Sequence, residues 1–144
     1  LDHLAIRPEL VRLADAAAWA AAVAARLNLN SSVSFAIQLC LEEAVSNVIR
    51  HAFPADADAA ARNSDIMLAL GPRGDAIALT IADRGAAFNP LTFAEPAAHP
   101  SLDTVVIGGQ GIHLMRKFAQ TIHYERCGEM NRLTLLFGTK TPAT

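Results

Sequence analysis

The chain has 144 residues, 52% hydrophobic and 18% charged, a balance that supports one domain with its own core and excludes disorder over most of the length. Its formal net charge of −2 and scattered basic residues leave no electrostatic footprint for DNA, RNA or an anionic membrane surface, so neither is an expected partner. Cys40 and Cys127 form no C-x-x-C and no uninterrupted apolar run approaches the roughly 20 residues of a bilayer span, so a single domain over residues 1–144 in the reducing cytoplasm is expected.

Residues 3–7, HLAIR, alternate and predict a short first strand ending before Pro8, whose fixed φ suits the first turn of a helix. Leu10, Leu13, Ala14, Ala17, Ala21, Ala24 and Leu27 then recur at three- and four-residue steps, which predicts an amphipathic helix of about 20 residues. LNLNSS breaks it, and the hydroxyl of Ser31 or Ser32 can cap a second helix. That helix carries LCLEEAVSNVIRHAF (39–53), in which Glu43, Asn47 and His51 follow at four-residue steps and form one polar stripe. Phe35, Leu39, Ala44, Val45, Val48, Ile49 and Ala52 cover the rest of its surface, so the stripe is expected to face a cavity. Pro54 and the loop to Ser64 end it.

IMLAL (66–70), the turn GPRGD (71–75) and AIALTIAD (76–83) predict a hairpin whose second strand ends at Asp83. The stretch from Arg84 to Gly111 has no clear period and is too long for a plain connection, so it is either disordered or functional. GIHLMRKFA (111–119) predicts a short helix, and TIHYER (121–126) with NRLTLLF (131–137) a final hairpin across CGEM.

Three motifs carry chemistry. In DRGAAFN (83–89) an Asp at a strand end can accept from an N–H donor such as the exocyclic amine of adenine, while Gly85 lets a ligand lie against backbone; an ordinary Asp-x-Gly turn reads the same way. GGQGIHLM (108–115) opens glycines into a helix, an anion site at the positive end of the helix dipole or simply a hinge. It is neither a Walker A loop nor a dinucleotide fingerprint. In the stripe, Glu42 and Glu43 point about 100° apart, and Glu43 shares its face with Asn47 and His51. Carboxylate and amide oxygens are hard ligands that suit Mg²⁺ together with phosphates, against the plainer reading of a satisfied buried Glu or an exposed acidic pair.

The order E-x-x-x-N on a helix, D-x-G after a strand and G-x-G into a helix resembles the GHKL ATPases, and within them the anti-sigma-factor serine kinases. EEAVSNVIRHAF resembles their N box, DRGAAFNP and GGQGIHLMRK their two glycine boxes, and RCGEMNRLTLLF their closing hairpin, from about Ile6 to Phe137. The resemblance implies an α+β two-layer sandwich of the Bergerat, histidine-kinase-like ATPase type, with helices on one face of a mixed, largely antiparallel sheet. It implies ATP and Mg²⁺ as cofactors, Glu43 as general base and Asn47 as metal ligand. Asp83 and Gly85 become the adenine site, Gly109, Gly111 and Ile112 the phosphate loop, and Thr134 the hydroxyl that supports the base, where a plain strand threonine is the alternative. His51 and Phe53 read as support for the helix end.

The implied activity is phosphorylation of a serine on a STAS-type anti-sigma-factor antagonist by a protein that also binds a sigma factor or similar regulator and, as is common among such relatives, forms a homodimer. A non-catalytic module whose partner affinity is gated by nucleotide is the rival reading. PLTFAEPAAHPSLDTVVI, the lid of this resemblance, contains no Lys or Arg to meet a γ-phosphate; Arg116 and Lys117 follow one turn into the next helix. The catalytic part of a sensor histidine kinase fits less well, since HAF follows the helix where those domains resemble K-[YF], and 144 residues leave no room for a dimerisation helix pair with its phosphoacceptor His.

Overall fold

The computed structural model describes residues 1–53, 63–92 and 111–139. Strand β1 (Asp2–Ile6) leads through a 3-10 turn (Leu10–Arg12) into helix α1 (Leu13–Arg26). The helix therefore starts later than Pro8, and Leu10 is half exposed rather than in the core. Its buried face is Ala16, Ala20, Val23 and Ala24, not the expected set through Ala14, Ala17 and Ala21. A helix of alanines presents nearly the same surface in every direction, so periodicity alone cannot choose its inner side.

Helix α2 (Ser31–Asn47) is capped by Asn30, whose side-chain oxygen accepts the Val33 N–H at 2.9 Å, one residue ahead of the expected serines. Asn and Ser are near-equal caps, and the choice falls to the residue with extended backbone, here Asn30 at φ −68°, ψ 163°. The helix runs on as a π-helical turn (Val48–Ala52); Pro54 lies outside the described residues. Ser31–Ala52 thus forms one 22-residue helical stretch that is long and apolar enough, by length and composition, to cross a bilayer, which the sequence reading did not anticipate. Most of it is buried inside the fold, with Ala36, Ile37, Cys40, Leu41, Ala44 and Val45 in the core.

Strands β2 (Ile66–Arg73) and β3 (Ala76–Asp83) form the expected hairpin with a tighter turn, Gly74–Asp75, in which Gly74 takes φ +60°. Gly71, Pro72 and Arg73 belong to β2; Pro72 is tolerated because β1 begins at Asp2, opposite Leu70, and does not extend alongside it. Helix α3 (Gly111–Phe118) is followed by β4 (Thr121–Cys127) and β5 (Met130–Gly138). The five strands lie in the order β1-β2-β3-β5-β4, and every pairing among the described residues is antiparallel where the expectation allowed a mixed sheet.

Inward residues of the central strands, Leu68, Leu70, Leu79, Ile81, Leu133, Leu135 and Phe137, meet α1, α2 and α3 in one hydrophobic cluster. Each such side chain contributes about 1.5–3 kcal/mol by leaving water. This is the expected two-layer α+β arrangement, with one sheet face covered by helices. The opposite face carries Met67, Thr80, His123, Arg132 and Thr134. The consequence for function is positional: β3 ends beside the start of β5, with Asp83 paired to Asn131, directly beneath the second half of α2.

Candidate functional site

The polar stripe of α2 faces inward as its spacing requires. Asn47 is 6% exposed, while Glu43 and His51 are half-buried. Opposite them α3 begins at Gly111, where a Cβ would lie 2.8 Å from Glu43 Oε2 and 3.0 Å from Asn47 Nδ2. With glycine here the helix starts this close to both polar groups without displacing either side chain, which any larger residue would push aside. The first turn of α3, whose N–H groups lack intrahelical acceptors and carry the positive end of the dipole, is thereby set against an acid and an amide. Burial, and then the neighbouring Glu42, push the Glu43 carboxyl above the ordinary range, with Arg50 opposing. Burial and Arg50 lower His51, which favours its neutral form, and its ring stacks on Phe88 at 4.7 Å and 19°.

Asp83, 1% exposed, ends β3 on the same cleft. Its Oδ1 accepts two hydrogen bonds at 2.9 Å, from the Gly85 N–H and from Asn131 Nδ2. Its Oδ2 is buried with no hydrogen-bond partner among the described residues. Burial raises the Asp83 pKa, opposed by the bonds from Asn131 and Gly85 and by Arg126. An orphaned buried oxygen costs about 1–3 kcal/mol, a cost that a ligand N–H would offset.

The loop after Asp83 is held from both sides. The Ala86 N–H donates to Ala52 O at 2.9 Å, and Arg126 Nη1 donates to Gly85 O at 2.9 Å. Ala52 sits in the π-helical turn, a distortion that recurs at functional sites and here presents a carbonyl to the loop. A Cβ on Gly85 would lie 2.4 Å from that same carbonyl oxygen. Gly85→Ala is therefore expected to destabilise the fold by about 1–3 kcal/mol, because the obstructing atom is backbone. A thermal melt checks this, and an unchanged midpoint would contradict the packing described.

Between the two groups lies a crevice lined by Ala44, Asn47, Val48, Ile81, Asp83, Phe88, Met115, Tyr124, Asn131 and Leu133. It is apolar apart from its recognition groups and narrow, with about 10 Å³ open to a water-sized body. A planar ring entering it has to spread the side chains of Phe88, Met115 or Tyr124. Asn47 and Asp83 line this crevice, Gly111 lies against Glu43 and Asn47, and the Gly85 N–H is bonded to Asp83, while Ile112 is buried in the core, so that only its backbone N–H is available to a ligand. Gly109 and most of the lid lie outside the described residues.

Thr134 requires a correction. It pairs with Thr80 and His123 and faces the helix-free side of the sheet, away from Asp83. Strand alternation puts Asn131, Leu133 and Leu135 inward and Thr134 outward, and the residue that touches Asp83 is Asn131. Sequence reasoning missed it because β5 is far from β3 along the chain; the signal was the inward parity of Asn131 with Leu133 and Leu135.

Residues 6–137 match the histidine kinase-like ATPase domain. The chain belongs to that family. As a histidine kinase-like ATPase domain it binds nucleotide; the fold brings a buried carboxylate oxygen without a hydrogen-bond partner among the described residues into the same region as the first turn of α3. The serine/threonine-protein kinase BtrW of Bordetella bronchiseptica is 34% identical to this histidine kinase-like ATPase domain over 134 residues, which cover 93% of this chain and 91% of BtrW.

Proposed function

We propose that the protein is an ATP- and Mg²⁺-dependent serine kinase whose substrate is a STAS-type anti-sigma-factor antagonist and which also binds a sigma factor or similar regulator, acting as a homodimer. The observation that carries the kinase reading is the approach of Gly111 to Glu43 and Asn47, which puts a base and an amide beside the phosphate-binding helix end. The kinase name of the relative BtrW supports it. Asp83 Oδ2 accepts the adenine amine, and the first turn of α3 takes the phosphates. Glu43 accepts the proton of the attacking serine hydroxyl, a role worth typically 10²–10⁴-fold. Among the described residues no group of three or more His, Cys, Asp or Glu is placed to hold a metal ion. Asn47, through its amide oxygen, suits Mg²⁺, which is commonly held by one or two protein groups and phosphates; when bound, the ion neutralises phosphate charge.

The raised pKa of Glu43 carries a pH signature. The base works only when deprotonated, so turnover is expected to fall as pH drops through a value above the roughly 4.3 of a free glutamate. A kcat profile level down to pH 4.5 would contradict the assignment. Stability has the opposite sign: Glu43 and Asp83 both bind protons more tightly folded than unfolded, so their contribution declines as pH rises past the unfolded values.

Incubating the protein with Mg-ATP labelled at the γ-phosphate and a candidate antagonist tests the activity, and phosphoserine on the antagonist is the expected product. The rival reading, a nucleotide-gated binding module, draws on one contact. Arg116, one turn into the helix that follows a lid without Lys or Arg, donates through Nη2 to Leu91 O at 3.4 Å. ATP-dependent partner binding without transfer would favour that module.

A further inference from the structure

We infer that Asn131, backed by Tyr124, is a positioning residue that orients the Asp83 carboxylate so that the cleft selects a base carrying an exocyclic amine. The inference rests on the nucleotide reading and adds to it the residue that makes the selection strict.

Asn131 is 4% exposed and makes four hydrogen bonds. Its Nδ2 donates to Asp83 Oδ1 at 2.9 Å and to Ala86 O at 2.8 Å. Its Oδ1 accepts the Phe88 N–H at 3.1 Å and the Tyr124 hydroxyl at 2.6 Å. A side-chain amide has two donor hydrogens and an oxygen with two lone pairs, so Asn131 is saturated within the protein and has nothing left for a ligand. Two oxygens face its nitrogen and two donors face its oxygen, which also fixes which way round the amide lies.

Three consequences follow for Asp83. Its Oδ1 is filled by Gly85 and Asn131, which hold the carboxylate in one orientation, and in this crevice-lining residue Oδ2 is left as the acceptor without a partner among the described residues. Because an ionised carboxylate only accepts, that atom recognises an N–H and gains nothing from a C–H in the same place. Asn131 further ties Ala86 and Phe88, the loop that walls the crevice, to the same carboxylate. The Tyr124 hydroxyl, the other donor to Asn131 Oδ1, is a second point at which the arrangement can be loosened without touching Asp83.

The test compares ATP with purine riboside triphosphate, which is ATP lacking the 6-amino group, by calorimetric titration of the whole chain. Wild-type protein is expected to prefer ATP by at least about tenfold, the effect of one hydrogen bond to a charged group. Asn131→Leu, which keeps the branching and the heavy-atom count of the side chain but removes its hydrogen bonds, is expected to bring the two affinities within about threefold of each other, chiefly by weakening ATP, and Tyr124→Phe to lower the preference by about threefold. A structural role alone would weaken both nucleotides equally and leave the preference intact, which would overturn the inference. Should Asn131→Leu fail to fold, Tyr124→Phe decides: a lowered preference supports the inference and an unchanged one overturns it. Wild-type protein that binds neither nucleotide would instead overturn the nucleotide reading beneath it.

Discussion

Glu43→Gln is expected to lower phosphoryl transfer by about 10²–10⁴-fold while ATP affinity stays the same or improves. Glutamine keeps the shape that packs beside Gly111, where the Glu43 carboxylate oxygen lies 2.8 Å from the position a Cβ would take, so the helix start is not disturbed. The amide cannot accept the serine proton. Removing the negative charge also removes repulsion between the side chain and a triphosphate, which is why binding is not expected to weaken. Single-turnover transfer of labelled phosphate, read beside a nucleotide titration, separates the two effects. Transfer above a tenth of the wild-type rate would remove Glu43 from the role of base.

Asp83→Asn carries the second large effect, with opposite signs on binding and stability. The new amide either places an N–H₂ where the base amine donates, or turns and loses the bonds from Gly85 and Asn131. Either arrangement forfeits a charged hydrogen bond of about 1.5–3 kcal/mol, so ATP affinity is expected to drop by roughly 10- to 150-fold. The free protein is expected to gain stability, because a buried carboxylate oxygen without a partner among the described residues is replaced by a neutral group. The gain should be larger at higher pH, since burial raises the Asp83 pKa and the ionised form is the strained one. A variant that melts lower and binds ATP as before would contradict both halves.

Much of the site was legible because its spacing is local. Glu43 and Asn47 share a helix face at any register of the fold, and Asp83 and Gly85 sit at the end of a strand whose hairpin partner is adjacent in sequence. Thr134 was expected at the site and Asn131 overlooked for the complementary reason: finding Asn131 needs the pairing of β3 with β5, a long-range fact that hydrophobic alternation constrains only to a parity. The support from Ala52 to Ala86 was likewise hidden, since a π-helical turn leaves no mark in the pattern of VIRHA. The inner face of α1 could not be read from its alanines, and the caps Asn30, Ser31 and Ser32 are chemically interchangeable. Layering and strand count were recoverable because they depend on period, and period is local.

The claim beneath all of this is that segments of α2, the end of β3, the start of α3 and the start of β5 border one nucleotide cleft. Backbone amide shifts of the ¹⁵N-labelled protein, followed during titration with Mg-ATP, test it most directly. Saturable changes are expected at Asn47, Ala52, Gly85, Ala86, Phe88, Gly111 and Asn131, with Thr80, His123 and Thr134 on the open sheet face left in place. Changes centred on that open face, or none at millimolar ATP, would contradict the account.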